Sequence, residues 1–158
     1  MKVALSYFAQ LRNFKPNMVP ISTAISDPKW FHGNKGANYK FIDNKGVLNG
    51  VRCKNLAPNS SCSTLCAGRT NCVHVPSNCE FLQRYKAQLE HIPTHEFRDY
   101  CERVAKSCAS VLNIPVDNVV LVFMVYEKYD NPCSERSYLL EFLNRCGYDA
   151  SELEYPIA

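Results

Sequence analysis

Four cysteines lie within eighteen residues, spaced Cys62-x3-Cys66-x5-Cys72-x6-Cys79, with Cys53 just upstream and His74 between the last two. Pro, Ser, Asn, Gly and Thr separate them rather than a hydrophobic repeat, which suits a loop wrapped around a metal ion or cluster. Four thiolates can close a tetrahedral zinc site or hold a four-iron, four-sulfur cluster. Zinc knuckles usually pair two Cys-x2-Cys turns, and the x3, x5 and x6 spacings here are looser. An iron–sulfur cluster (4Fe-4S) is therefore favoured and zinc is the alternative, with Cys62, Cys66, Cys72 and Cys79 as the ligands. Cys53 and His74 stand as spare donors. The competing reading is a set of incidental thiols.

The second place where chemistry is expected is the turn Glu127-Lys128-Tyr129-Asp130-Asn131-Pro132-Cys133-Ser134-Glu135-Arg136. Asn131 reads as a helix cap with Pro132 at the first helical position. Cys133 and Ser134 then fall in the first turn, where unpaired N–H groups and the helix dipole favour a thiolate or a bound anion. Arg136 can add a bidentate clamp for phosphate or carboxylate. Cys133, Arg136 and Glu127 are the candidate catalytic residues, and Ser134, Tyr7 and Trp30 the candidate binding residues. The bland alternatives are that Ser134 only caps, Glu135 only complements the dipole, and Arg136 pairs with Glu127. Trp30 is either packed in the core or a wall for a planar ligand.

The elements that must position these residues follow an α/β pattern. The apolar run at residues 3–8 reads as a buried first strand and residues 18–22 as a second; residues 41–48 resemble a hairpin around a glycine turn. Ser77 and Glu80 form a capping box that opens a helix through Leu89, which places Cys79 in its first turn. A second helix runs from about Thr94 to Leu112, with Phe97, Tyr100, Cys101, Val104, Cys108, Val111 and Leu112 along one face, so Cys101 and Cys108 read as buried apolar thiols. Residues 119–126 form a continuous, β-branched apolar run, the signature of a central strand buried on both faces. A helix through Leu139, Leu140, Phe142 and Leu143 follows and stops at Gly147. The expected fold is a single α/β domain over residues 1–158, with a central, mostly parallel sheet flanked by helices and a cysteine-rich metal-binding insertion at residues 53–79. Ligands of such sheets bind at the carboxyl ends of the strands.

Composition bounds the rest. With 158 residues, 46% of them hydrophobic and 21% charged, the chain can bury one sizeable core. No apolar run reaches the roughly 20 residues of a membrane span, and the N-terminus lacks a signal-peptide core, so a cytoplasmic protein is expected. In a reducing compartment nine cysteines favour metal ligation and buried thiols over disulfides. Net charge is +3, but residues 1–54 carry nine Lys/Arg against Asp27 and Asp43, while residues 126–158 carry three against seven acids. The basic third can face a phosphate-bearing small molecule or nucleic acid. No Walker loop, paired zinc-protease histidines or dinucleotide glycine fingerprint is present.

Several short segments carry a family resemblance: Tyr7-Phe8-Ala9, Val19-Pro20-Ile21-Ser22 followed by Pro28-x-Trp30, Leu56-Ala57-Pro58, and Tyr126-Glu127-Lys128 with its Cys/Arg turn. Together they resemble the family catalogued as domain of unknown function four-eight-eight. The resemblance implies a small cytosolic α/β protein of bacterial or phage type, with no activity to carry over. Where that family's turn reads Cys-His-Arg, this chain has Cys133-Ser134-Glu135-Arg136, one residue longer and without the histidine. A local Cys–His pair for nucleophilic catalysis is therefore absent, and Arg136 and then Cys133 are the positions that the resemblance carries over. The functional expectation is a metal-centre protein with a strand-edge anion site for a nucleotide or nucleic-acid ligand. A non-catalytic module with structural zinc, or a cysteine-nucleophile enzyme of phosphatase or sulfur-transfer type, are the alternatives.

Overall fold

Strand β4 (Val120–Val125) lies in the middle of a five-stranded sheet whose order is β3-β2-β4-β1-β5. Its neighbours are β1 (Lys2–Tyr7) and β2 (Met18–Ser22), and the edges are two-residue strands, β3 (Val51–Arg52) beside β2 and β5 (Ser151–Glu152) beside β1. Every pairing is parallel. The computed structural model describes residues 1–33, 36–59, 79–128 and 133–157. The apolar run expected to be central is central because both of its faces are covered: from Leu121 to Met124 no residue is exposed at all.

The strand order explains how both faces are covered. The connections β1 to β2 and β2 to β3 step toward one edge of the sheet, and β3 to β4 and β4 to β5 step toward the other. Right-handed crossovers then put the first two connections on one face and the last two on the opposite face. Two apolar clusters match this division. Val122 and Met124 pack with Phe8, Leu11, Phe14, Phe31 and Val47 from the early connections. Leu121 and Phe123 pack with Tyr85 and Leu89 of helix α1 (Glu80–Glu90), Phe97, Cys101 and Cys108 of α2 (Thr94–Leu112), and Leu139 and Phe142 of α3 (Arg136–Arg145).

The helices form for legible reasons, with some shifts from expectation. In α2 the buried face is Phe97, Cys101, Val104, Ala105, Cys108 and Ala109, while Val111 lies 40% exposed. Alanines, rather than the larger Val111, allow the helix to approach the sheet. Asn113, at φ 55 and ψ 49, ends α2 in the left-handed conformation that asparagine tolerates, and the Ile114 N–H donates to Ala109 O at 3.0 Å. Helix α1 starts at Glu80 with Cys79 at its cap, so Cys79 precedes the first turn rather than lying inside it. Tyr85 anchors α1, donating from its fully buried hydroxyl to Leu56 O at 2.6 Å. Helix α3 likewise starts later than the Asn131-Pro132 signal implies: its cap is Glu135 and Arg136 is its first residue. Ser77, Asn131 and Pro132 lie outside the described residues.

On the early face, the anticipated hairpin closes through the antiparallel bridge between Ile42 and Leu48. Asp43 Oδ1 accepts from the N–H groups of Lys45 and Val47, both at 2.9 Å, and Gly46 takes the positive φ of 84 that the turn requires. The 3-10 turn Phe8–Asn13 packs beside it, and Lys45 Nζ donates to Arg12 O at 2.8 Å. Among the described residues no helix is long and apolar enough to cross a membrane.

Candidate functional site

Adjacent parallel strands whose connections leave toward opposite faces open a crevice at their carboxyl ends. Strands β2 and β4 are such a pair, since β2 continues into the early-face segment and β4 into α3. A cavity of about 400 Å³ occupies this crevice, lined by Thr23, Ala24, Ile25 and Ser26 after β2, by Val125, Tyr126 and Glu127 at the end of β4, and by Glu135 at the cap of α3.

Two carboxylates meet there. Glu135 and Glu127 line the cavity together, and Glu127 Oε2 accepts from Ser134 Oγ at 3.2 Å. Burial, and then the negative charge of Glu127, push the Glu135 carboxyl up to about 7; the nearby Arg136 guanidinium opposes the shift more weakly. Glu135 thus keeps its proton up to near neutrality beside Glu127.

Arg136 explains how the two glutamates are held. The residue is only 7% exposed. Its Nη2 donates to Glu127 O at 2.6 Å, its Nη1 donates to Lys128 O, and its Nε donates to Glu152 Oε1 on β5. The guanidinium carbon lies 5.9 Å from the centroid of the Tyr7 ring. All three guanidinium nitrogens are thus engaged within the chain, pinning the exit of β4 to the start of α3 and to β5. Arg136 has the geometry of a positioning staple rather than of an open anion clamp.

The remaining candidates are distributed around this centre. Ser134, 2% exposed, bonds Glu127 and accepts the Arg136 N–H at 3.2 Å. Cys133 is half-buried and precedes α3 rather than sitting in its first turn, which removes the helix-dipole argument for a thiolate at this position. Tyr7 is buried at the end of β1, and its hydroxyl accepts from Gln10 Nε2 at 2.6 Å. Trp30 is not core: it is 51% exposed, with its ring edge-on to Phe8 at 6.1 Å. Phe8 also contacts the half-exposed Tyr126, centroids 4.9 Å apart, so an aromatic cluster rims the carboxyl edge of the sheet.

Nearby, Ser22 at the end of β2 hydrogen-bonds to Asp27 Oδ1, and the buried Asp27 Oδ2 has no hydrogen-bond partner. A Cβ on Gly33 would lie 3.0 Å from that oxygen and 2.8 Å from the Phe31 ring, so glycine is what lets this loop close over Asp27.

Of the proposed metal ligands, Cys62, Cys66 and Cys72, together with His74, lie outside the described residues. Cys79 is half-buried at the α1 cap. Cys53 belongs to the helix-side core, 3% exposed, with its thiol pushed up by burial. Among the described residues no three His, Cys, Asp or Glu side chains converge on a metal position. Cys101 and Cys108 are fully buried, as their helical spacing implies, and burial pushes both thiols up to about 12.

Sequence reasoning undervalued Glu135, read only as a complement to the helix dipole. The signal was present: two glutamates eight residues apart across a strand-to-helix connection, which brings the end of a buried strand back beside the helix start. Comparison with protein-family models, with curated proteins and with solved structures finds no match for this chain.

Proposed function

We propose that the protein is an acid–base enzyme that acts on a nucleotide or nucleic-acid ligand at the carboxyl edge of its sheet, with Glu135 and Glu127 as the catalytic pair. The observation that carries this reading is the pair of glutamates that line one cavity at the β2–β4 crevice, one of them with its carboxyl pushed up by burial and by the charge of the other. One carboxyl of such a pair can donate a proton to a departing oxygen or nitrogen while the other accepts one from an attacking water or hydroxyl, as hydrolysis or group transfer requires. Arg136 and Ser134 act by positioning, because both bond to the Glu127 residue itself. The aromatic rim of Tyr126, Phe8 and Trp30 suits a planar heterocycle.

The test is turnover of nucleosides, nucleotides and short single strands by the full-length protein, followed chromatographically across pH. A bell-shaped rate profile, with a loss of about a hundredfold or more in Glu135→Gln, is the expected result. Binding without turnover would leave a non-catalytic module, and the absence of both would remove the reading.

A second reading concerns the segment 53–79. We propose that Cys62, Cys66, Cys72 and Cys79 hold a metal centre, an iron–sulfur cluster before zinc, on the strength of their spacing. The position of Cys79 favours it: unlike Cys53, Cys101, Cys108 and Cys146, it belongs to neither apolar cluster, and it follows in sequence the segment that carries the other three. Metal and acid-labile sulfide analysis of anaerobically purified protein decides between cluster, zinc and neither.

A further inference from the structure

A second cavity, of about 330 Å³, is walled by Phe8, Ala9, Leu11 and Trp30 and lined by Arg12, Asp43, Lys45 and Asn49. Its volume is in the range of small-molecule sites. Three features distinguish it from a bare surface dent.

The first is its charge. Arg12 and Lys45 are both exposed, and the Arg12 guanidinium has no ion pair or hydrogen bond to a described residue. The one acid in the lining, Asp43, accepts two backbone N–H groups of its own turn through Oδ1. The second is Asn49, 6% exposed, whose buried Oδ1 has no hydrogen-bond partner. A buried acceptor left unpaired costs about 1–3 kcal/mol unless something donates to it, and Asn49 lines this cavity. The third is Trp30, half-exposed against Phe8, which offers a flat face to a ring system.

We propose that this cavity is a binding site for a nucleoside monophosphate or a similar planar anion, with the phosphate held by Arg12 and Lys45, the ring against Trp30, and a ring N–H or amino group donating to Asn49 Oδ1. The site lies in the basic N-terminal third. It deepens the reading above by naming the residues that hold the anion of its ligand, and it rests on that reading only for which end of the ligand reacts. Phe8 lines this cavity and contacts Tyr126, which lines the first, so the two cavities share an aromatic rim. Arg136, engaged within the chain, is not needed for the anion.

Trp30 is the protein's single tryptophan, so its fluorescence reports this site directly. The experiment is titration of the full-length protein with adenosine 5′-monophosphate and separately with adenosine, excited at the red edge of the tryptophan band and corrected for absorption. The monophosphate is expected to quench saturably and to bind about tenfold or more tightly than adenosine, with the difference shrinking as salt rises. The Arg12→Ala/Lys45→Ala variant, altered only at exposed positions, should lose that preference, and Asn49→Ala should weaken both ligands. Saturable quenching is read without turnover, so a failure of catalysis and a failure of this site are read separately. Equal affinity for the two ligands, no saturable quenching by either, or an unchanged preference in the double variant would each overturn the proposal.

Discussion

Glu135 and Glu127 meet half-buried at the carboxyl end of β4, where burial and the charge of Glu127 push the Glu135 carboxyl up to about 7. The folded protein prefers Glu135 protonated, and the unfolded chain does not. Between the ordinary value of 4.5 and the folded value of about 7 the native state therefore carries the extra proton. Stability falls as pH rises through that window, because deprotonation is easier in the unfolded chain. The contribution is on the order of 1–3 kcal/mol, fully present below 4.5 and lost as pH passes 7. Urea denaturation from pH 4.5 to 7.5 should show this decline, and Glu135→Gln should flatten it. A wild-type curve that rises across the window would contradict the raised Glu135 carboxyl.

Arg136 should behave as a structural residue with a functional consequence. Removing it leaves Glu152 without its ion-pair partner and the carbonyls of Glu127 and Lys128 without their donors, while the Tyr7 ring loses its cationic cap. Losing one partner of a largely buried pair costs about 3–5 kcal/mol, and lysine cannot restore three divergent bonds. Arg136→Ala and Arg136→Lys are both expected to be destabilised by roughly 2–4 kcal/mol. An anion clamp would behave oppositely, tolerating lysine and losing ligand rather than stability. Chemical denaturation of the two variants distinguishes the cases.

The central strand, the first two strands and α2 were legible because each carries its pattern within itself: an unbroken β-branched run, or apolar residues at helical spacing. Strands β3 and β5 were not. Each is two residues long and exists only through its partners, Ile21 and Ser22 for Val51 and Arg52, Ala4 and Leu5 for Ser151 and Glu152. No local propensity marks such strands. The same distinction governs the site. Arg136 could be singled out, but its role depends on two backbone carbonyls eight and nine residues earlier and on a carboxylate sixteen residues later, none of which a residue type announces. Trp30 and Asn49 came to share a cavity because the 41–48 hairpin lies beside the 3-10 turn after β1, a tertiary fact.

The cysteines divide into two chemical classes, and alkylation should separate them. Cys101 and Cys108 are fully buried, with thiols pushed up to about 12 by burial, so at pH 8 they hold almost no thiolate and present no accessible surface. A thiol reagent should leave both unmodified in the native protein and label them only on unfolding, as peptide mass mapping would reveal. Because they are protonated more firmly in the folded state, their contribution to stability is present below the ordinary value of 9 and declines as pH rises toward 12. Rapid native labelling of either would mean that α2 does not pack on the sheet as described.

Tyr85 tests how the segment before α1 is tied to the core. Its hydroxyl is buried and donates to Leu56 O, the last residue of the short 3-10 turn at 54–56, while the ring lies in the helix-side core. Tyr85→Phe keeps the ring and leaves that carbonyl without this donor. The expected cost is about 1–2 kcal/mol, the range for a hydrogen bond whose partner stays buried. Tyr85→Ala also empties a large core position and should cost about 3–5 kcal/mol. If metal in the 53–79 segment contributes to stability, chelation should lower the unfolding midpoint of the wild type and of Tyr85→Phe by similar amounts, since the tyrosine bond and the thiol site would be separate anchors. A chelation effect confined to the wild type would instead mean that metal and Tyr85 stabilise the same closure of this segment onto the sheet.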